Sequence, residues 1–174
     1  MTIEEVKKEI RDVPDFPQKG ILFRDFTTAF KKPECMKWFE NRLVDMYSNL
    51  NITKVVGIES RGFIMAPILA NKINAGFVPI RKKGKLPANV IEISYAKEYG
   101  VDTIQIHEDA LSSDDIVLLH DDLLATGGTM EAAYELIKKF GVKKVYINFL
   151  AELDGLNGRR LFDANAQIDS LIHY

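Results

Sequence analysis

The strongest structural signal in this chain lies between Ile116 and Thr129, which read Ile-Val-Leu-Leu-His-Asp-Asp-Leu-Leu-Ala-Thr-Gly-Gly-Thr. The stretch opens with an apolar run, residues 116–119, of the kind that is buried in a parallel sheet. Two adjacent carboxylates follow, Asp121 and Asp122, and then a loop of small residues. Ligands in open α/β sheets bind beyond the carboxyl ends of the strands. The pattern therefore predicts a strand, a ligand-binding loop and then a helix from about residue 130.

The loop Thr126-Gly127-Gly128-Thr129 has the composition of a phosphate-binding turn. It would present successive backbone N–H groups and two hydroxyls at a helix N-terminus, with glycines that allow close approach. No lysine follows the second glycine, so it is not a Walker loop. Carboxylates beside a phosphate suit a ligand that also offers hydroxyls or a metal ion, such as a ribose phosphate. The alternative is an acidic turn whose glycines serve only backbone geometry.

Alternation of apolar runs with helical patterns extends on both sides of this segment. It predicts an α/β fold with an open, mainly parallel sheet flanked by helices. Pro67 would sit near the first turn of its helix, where a missing N–H costs least. The predicted strands are 55–58, 76–80, 116–119 and 145–150, and the predicted helices are 62–73 and 130–140, the latter ended by Gly141.

Residues 90–95 and 103–107 depart from this rhythm because apolar and polar residues alternate along them. Such alternation is typical of half-buried strands, and two of them joined by a polar segment predict an antiparallel arm. We expect its tip, Lys97-Glu98-Tyr99-Gly100, to be exposed and mobile.

The N-terminal part predicts two helices separated by a loop. Thr2 and Glu5 form a capping-box pattern at the start of a short helix that ends before Pro14. Residues 16–26 show neither a helical nor a strand period and are predicted to form an ordered loop. From Met36 to Leu50, apolar side chains recur at helical spacing and predict the second helix.

Composition restricts the possible classes of protein. The 174 residues, 47% apolar and 28% charged, suit a single globular domain over residues 1–174. A net charge of −2 argues against nucleic-acid binding through overall charge, although a local basic patch stays possible. The single cysteine, Cys35, cannot form an internal disulfide and fits a reducing compartment. With neither a signal-peptide pattern nor a membrane-spanning run, we expect a cytoplasmic protein without membrane contact.

The string from His120 to Thr129 resembles the phosphoribosyl-pyrophosphate (PRPP) signature of the type I phosphoribosyltransferases, in the form found among adenine phosphoribosyltransferases. Other segments resemble the same family in its order and spacing, so the resemblance covers most of the chain. These segments are Phe16-Pro17, Gly20 to Asp25, Glu59 to Phe63, Arg81 to Pro87, Glu98 to Gly100 and Gly158-Arg159.

This resemblance implies a fold and a reaction. The fold is the type I phosphoribosyltransferase fold, with a flexible catalytic loop on the arm and a small base-binding hood from residues 1–32. The reaction is Mg²⁺-dependent transfer of the 5-phosphoribosyl group from PRPP to N9 of adenine, giving AMP and pyrophosphate in purine salvage. The implied partners are adenine and PRPP, with Mg²⁺ carried mainly by PRPP, and a second copy of the chain in a homodimer.

The resemblance also implies roles for individual residues. Glu98 would handle the proton on the purine as N9 attacks, and the acid pair would favour the positive charge that develops on the ribose. The implied sets are catalytic Glu98, Asp121 and Asp122; phosphate-binding Ala125, Thr126, Gly127, Gly128 and Thr129; pyrophosphate-binding Arg61, Arg81, Lys85 and Tyr99; and adenine-binding Leu22, Phe23 and Arg24.

Several alternatives stay open. Phe23 could anchor a loop to the core, Glu98 could simply be solvated, and the basic run 81–85 could be a solvated surface or a nucleic-acid patch. His120, where many relatives carry an apolar residue, could tune the acid pair or lie on the polar side of its strand. For the whole protein, the alternatives are a hypoxanthine/guanine phosphoribosyltransferase, a PRPP-binding regulator that binds nucleic acid, and an inactive binding module.

Overall fold

The structure is a computed structural model that describes residues 1–96 and 100–174. Two compact units can be distinguished, Met1–Leu43 and Val44–Tyr174. Of the arm's predicted tip, residues 97–100, Gly100 is exposed, and residues 97–99 lie outside the described residues. Across the described ranges, a helix with the length and apolar composition of a membrane span is not found.

The N-terminal unit begins with the predicted capping box. Thr2 Oγ1 accepts a hydrogen bond from the Glu5 N–H at 3.2 Å, and Glu5 Oε2 accepts from the Thr2 N–H at 2.8 Å. These bonds satisfy two N–H groups at the helix start. The elements are α1 (Ile3–Glu9), β1 (Arg11–Pro14), β2 (Leu22–Asp25) and α2 (Thr27–Phe30), followed by α3 (Pro33–Tyr47), within which the division between the two units falls.

The prediction that residues 16–26 form only a loop is wrong. Residues 22–25 form β2, which pairs antiparallel with β1, Val13 opposite Phe23 and Pro14 opposite Leu22. Four residues are too few to show a strand period, so the strand exists through its pairing rather than through local preference.

The larger unit alternates strands and helices as the sequence predicts. Its elements are β3 (Lys54–Ile58), α4 (Gly62–Lys72), β4 (Gly76–Lys82), β5 (Val90–Ala96), β6 (Val101–His107), β7 (Ile116–Leu124), α5 (Gly128–Lys138), β8 (Lys144–Glu152) and β9 (Gln167–His173), with short 3-10 turns at Asp154–Leu156 and Gly158–Leu161.

One seven-stranded sheet organises this unit, in the order β5-β6-β4-β3-β7-β8-β9. The five strands from β4 to β9 in that order pair in parallel, and β5 and β6 form the predicted antiparallel arm, joined to the sheet through β4. The prediction of a mainly parallel α/β sheet with an arm is confirmed. Because β3, β4 and β7 run in the same direction, their carboxyl ends meet at one edge of the sheet.

One large apolar cluster of this unit lies between the sheet and α5. Val56, Ile80, Leu119, Ile137 and Phe149 are buried in one apolar cluster. These side chains are almost entirely removed from water, which stabilises the fold by roughly 1.5–3 kcal/mol for each large apolar side chain.

Three details of the larger unit differ from the predictions. The strand β7 continues to Leu124 through the acid pair, because its pairing with β8 extends to Glu152 opposite Leu124 and outweighs the local polarity. Pro67 lies in the second turn of α4 rather than the first, so the Phe63 carbonyl loses its usual helical donor. The edge strand β9 was not predicted.

Candidate active site

A cavity of about 460 Å³ opens at the edge of the sheet where β3, β4 and β7 end. It brings together most of the residues that the sequence predicted for the phosphate, ribose and pyrophosphate groups. Lys85 does not line the cavity, but its carbonyl oxygen accepts a hydrogen bond from Arg81 Nη1 at 3.0 Å. The predicted residues among the lining are Arg61, Arg81, Asp121, Asp122, Ala125, Thr126, Gly127, Gly128 and Thr129.

The small-residue loop takes its shape from two close backbone approaches. Gly127 precedes α5 with φ of +90°, a left-handed conformation that favours glycine. A Cβ at Gly127 would lie 2.7 Å from the Gly158 carbonyl oxygen. A Cβ at Gly158 would meet the Ala125 carbonyl oxygen and would lie 2.8 Å from Leu124 Cδ1. The turn at Gly158 therefore packs directly against the loop. The first residues of α5, Gly128 and Thr129, line the cavity.

The two neighbouring carboxylates have different surroundings. Asp122 is buried, and its Oδ2 accepts a charge-assisted hydrogen bond from Arg61 Nε. Asp121 retains some contact with solvent, and its Oδ1 accepts from the Asp122 N–H at 2.9 Å. Desolvation by the surrounding protein, together with the charge of Asp122, raises the pKa of Asp121 well above its usual range. The pair therefore joins a buried, paired carboxylate to one that resists ionisation.

Close packing by Gly62 brings Arg61 to the acid pair. A Cβ at Gly62 would lie 2.8 Å from the His120 carbonyl oxygen and 3.1 Å from Asp121 Oδ1. The start of α4 can lie against β7 only because that position has no side chain.

Glu59 is a cavity residue that the sequence analysis did not assign to the site. Its carboxylate accepts two hydrogen bonds from Arg81, both at 3.3 Å, and one from the Lys82 N–H at 3.1 Å. Burial alone would raise the pKa of Glu59, but the Lys82 N–H and the Arg81 guanidinium outweigh it and keep that pKa below its usual value. Its place immediately after β3, two residues before Arg61, was the available signal.

The arm contributes Tyr95 and Asp102, which were also missed. The Tyr95 hydroxyl lies 3.0 Å from Thr129 Oγ1 in the loop and 3.5 Å from Asp102 Oδ2 on the neighbouring strand. Lys82 Nζ lies 3.8 Å from the same oxygen of Asp102. Strand alternation predicts which residues share a face of the arm, but it does not reveal that this face meets α5.

One of the two interpretations placed His120 on the polar side of its strand, and the structure places its side chain beside the polar side chain of Asn148 in the buried interior. The His120 side chain is completely buried, and its Nδ1 lies 2.9 Å from the Asn148 Oδ1 on β8. Burial lowers the pKa of His120 to about 4, so the imidazole is neutral at neutral pH. Asn148 also contacts β9, because its Nδ2 donates a 3.4 Å hydrogen bond to the Asp169 carbonyl oxygen.

The predicted adenine-binding residues lie on β2 in the N-terminal unit. The Phe23 ring packs edge-on against Phe16, with 5.2 Å between ring centroids. Leu22 is 43% exposed, and Arg24 forms an ion pair with Asp12. The remaining predicted residues, Glu98 and Tyr99, lie outside the described residues.

Comparisons with known proteins agree with this geometry. Residues 29–166 match the phosphoribosyl transferase domain. The chain is 61% identical, over 99% of its length and 98% of the relative's, to an adenine phosphoribosyltransferase of Bacteroides thetaiotaomicron.

Two solved structures superpose on nearly the whole chain. The adenine phosphoribosyltransferase of Rhodothermus marinus has a TM-score of 0.93 at 46% identity, covering 99% of this chain and 98% of that one. The enzyme of Giardia lamblia, complexed with 9-deazaadenine, has a TM-score of 0.94 at 41% identity, covering 100% and 98%. The chain therefore belongs to the phosphoribosyltransferase family. Within that family its place is among the adenine phosphoribosyltransferases.

Proposed function

We propose that this chain transfers the 5-phosphoribosyl group of PRPP to N9 of adenine, releasing pyrophosphate and forming AMP for purine salvage. The observation that carries the proposal is the cavity itself. It combines a loop of small residues at a helix N-terminus, a pair of carboxylates and two arginines at one edge of the sheet. A phosphorylated sugar that carries a pyrophosphate leaving group needs all three.

The loop from Ala125 to Thr129 is the proposed site of the 5′-phosphate. Backbone N–H groups at the start of α5 would point toward a bound phosphate. The helix dipole would add roughly 0.3–1 kcal/mol to the free energy of binding. The left-handed Gly127 allows the loop to turn sharply without a side chain in the way.

The acid pair is the proposed partner of the ribose hydroxyls. As pyrophosphate leaves C1 of the ribose, positive charge develops on the ring, and nearby fixed negative charge stabilises the transition state. Asp122 is the carboxylate proposed for this role, because its hydrogen bond from the Arg61 guanidinium fixes its position in the cavity.

Arg61 and Arg81 are the proposed pyrophosphate ligands. Guanidinium groups bind phosphoryl oxygens through paired N–H donors, and they stabilise the charge that the leaving group gains. Each arginine is already held by a carboxylate, Arg61 by Asp122 and Arg81 by Glu59, so each is oriented before substrate arrives. Lys85 is proposed to add positive charge from the following turn, and Tyr99 to contact the same group.

Adenine recognition is proposed for Leu22, Phe23 and Arg24. The Phe23 ring would stack on the purine, and main-chain groups near its neighbours would read the amino-substituted edge. The Giardia relative in complex with 9-deazaadenine supports an adenine-like base as the acceptor. A site that binds a substrate N–H can reject analogues lacking it by about 10⁴–10⁵.

Mg²⁺ fits the donor set of the cavity, since carboxylate oxygens are the ligands it prefers. Glu59 and Asp122 are engaged by arginines, so PRPP would supply most of the oxygens around the ion. Asp121 is the remaining carboxyl group, and a bound cation would favour the ionised form that the protein alone disfavours. When bound, the ion would neutralise charge on the pyrophosphate. We further propose a homodimer in the cytoplasm, as the family resemblance and the single cysteine suggest.

The direct test combines purified protein, Mg²⁺ and PRPP with adenine, hypoxanthine or guanine in separate reactions. We expect AMP and pyrophosphate from adenine alone, and no product after EDTA treatment. Product from an oxo-purine instead would overturn the assignment of Leu22 to Arg24. Binding of PRPP without any product would favour the regulator alternative.

Glu98 is proposed as the group that handles the purine proton. We expect Glu98→Ala to lower kcat by about 10²-fold, in the range of general acid–base contributions, with little change in the affinity for PRPP. Exposed Glu108 at the other end of the arm provides the matched control, Glu108→Ala, with unchanged kcat. A loss of PRPP affinity without a loss of kcat would contradict the acid–base role.

A further inference from the structure

The hydrogen bond between Tyr95 and Thr129 joins the arm to the small-residue loop. Tyr95 is the second-last residue of β5, and Thr129 is the second residue of α5. Their hydroxyl oxygens lie 3.0 Å apart, and both side chains line the cavity. A contact between two hydroxyls leaves the direction of donation free, so it can respond to a third group.

A phosphate bound in the loop would fix that direction. Thr129 has one hydroxyl proton, and the strongest nearby acceptor would be a phosphate oxygen. Once Thr129 donates to the phosphate, its oxygen can accept the proton of the Tyr95 hydroxyl. Consecutive hydrogen bonds of this kind strengthen one another.

Asp102 offers the Tyr95 hydroxyl a weaker hydrogen bond than Thr129 does. Asp102 Oδ2 lies 3.5 Å from the Tyr95 hydroxyl, at the outer limit of a hydrogen bond, and it also lies 3.8 Å from Lys82 Nζ. Occupancy of the loop would therefore favour donation from Tyr95 to Thr129.

We propose that Tyr95 is a positioning residue for the 5′-phosphate. Tyr95 acts through its hydrogen bond to Thr129, so that phosphate binding in the loop is coupled to the conformation of the arm. The inference rests on the proposed function, since it takes residues 125–129 as the phosphate site. It adds that a residue outside the loop contributes to phosphate affinity and that phosphate binding steadies β5.

A second hydrogen bond also connects the arm to the region of α5. Lys139 Nζ, just beyond the end of α5, donates to the Glu92 carbonyl oxygen on β5 at 3.1 Å. The arm is thus fastened to the α5 region at Glu92 and at Tyr95, and of these two contacts the one at Tyr95 lies at the cavity. Directly after β5, the chain continues to Glu98.

The test measures the affinity of ribose 5-phosphate by calorimetry for wild type, Tyr95→Phe, Thr129→Val and the double variant. We expect Tyr95→Phe to weaken binding about three- to tenfold, the range of one net hydrogen bond. In the Thr129→Val background the same change should alter affinity by no more than about twofold. Thr129→Ser, which keeps the hydroxyl, should preserve the effect of Tyr95→Phe.

Tyr134→Phe is the matched control, because Tyr134 lies on the same helix as Thr129 but packs its ring against Phe162 outside the cavity lining. Its affinity for ribose 5-phosphate should equal that of wild type. Thermal unfolding of each variant separates a folding defect from a binding defect. Hydrogen exchange supplies a second measurement: ribose 5-phosphate should slow exchange in β5 of wild type and not of Tyr95→Phe.

Equal affinity of Tyr95→Phe and wild type would overturn the inference, as would an undiminished effect in the Thr129→Val background. Either result would leave the proposed function intact, because wild type would still bind ribose 5-phosphate and form AMP. If wild type binds no ribose 5-phosphate, the phosphate site and the inference both fail.

Discussion

Asp121 and Asp122 are adjacent in the chain, yet their surroundings give them different properties. Arg61 holds Asp122, while burial and the neighbouring charge disfavour ionisation of Asp121. Of the two, Asp122 is the member that a guanidinium holds in place, and it is the carboxylate that we propose for the charge developing on the ribose.

We expect Asp122→Asn to lower kcat by roughly 10²-fold, the scale seen when one preorganised electrostatic contact is removed. The substitution preserves volume while it removes the charge and the pairing with Arg61. Asp114→Asn, at an exposed position in the turn before β7, is the control and should retain full activity. Turnover near that of wild type in a folded Asp122→Asn protein would remove Asp122 from the mechanism.

His120 makes the stability of the fold dependent on pH. Its pKa is lowered from 6.5 to about 4 in the folded protein, so the unfolded chain takes up the proton first as pH falls through that interval. The free energy of unfolding therefore decreases between pH 6.5 and 4, by about 3 kcal/mol in full and about 2 kcal/mol at pH 5.

Urea unfolding of wild type and His120→Gln at pH 7 and pH 5 measures this contribution. Other titrating groups are common to both proteins, so the change in the difference between them isolates His120. Relative to His120→Gln, wild type should lose about 2 kcal/mol on acidification. A difference that does not depend on pH would mean that His120 takes up its proton equally readily in the folded and the unfolded protein.

The role of a residue could be predicted from the sequence where the residue belongs to a motif of neighbouring positions. It could not be predicted where the role depends on contact with a residue that is distant in the chain. The phosphate loop and the acid pair were found because consecutive residues share one function. Glu59 and Tyr95 were missed because their partners, Arg81 and Thr129, lie 22 and 34 positions away in the chain.

At the scale of elements, the small-residue loop depends on the turn that packs beneath it. Gly158→Ala would place a Cβ against the Ala125 carbonyl oxygen and 2.8 Å from Leu124 Cδ1. We expect a loss of stability of about 1–3 kcal/mol from overpacking. The affinity for ribose 5-phosphate should fall at least about tenfold, because the loop must shift.

Gly155→Ala is the control for this change, since a Cβ at Gly155 has nothing within 4 Å. Calorimetry with ribose 5-phosphate and thermal unfolding provide the two measurements. Affinity unchanged in Gly158→Ala would show that the loop does not need this support to bind phosphate.

Strands and helices with long apolar patterns were predicted correctly, while those that depend on pairing were not. β3, β4 and β8 are rich in apolar residues, with Asn148 as a single polar residue within the apolar run of β8, and the arm carries clear alternation. In contrast, the polar end of β7 is ordered by β8, and the short β2 is ordered by β1. The residues of a segment do not show which strand will pair with it, so strand boundaries that depend on pairing cannot be predicted from that segment alone.

At the scale of the whole molecule, ligand binding should raise the stability of the folded chain. A ligand at about 100 times its Kd stabilises a protein by about 2.7 kcal/mol. For a chain of this size, that corresponds to a Tm increase of roughly 5–10 °C. We expect this increase with ribose 5-phosphate and none with ribose at the same concentration, because the loop binds the phosphate. An equal increase with ribose would contradict that assignment.

A net charge of −2 is consistent with a site in which acids and bases are matched within one cavity rather than separated on the surface. Arg61 and Arg81 each face a carboxylate there. Each guanidinium is thus held in the cavity where pyrophosphate is proposed to bind.

The crystal structure of the protein with AMP bound tests most directly whether this cavity is the active site. We predict the 5′-phosphate within hydrogen-bonding distance of the backbone N–H groups of residues 126–129, and the ribose hydroxyls on Asp121 and Asp122. We also predict that the Tyr95 hydroxyl donates a hydrogen bond to Thr129 Oγ1. AMP bound elsewhere, or with its phosphate on Arg61 and Arg81 instead of the loop, would contradict the proposed site.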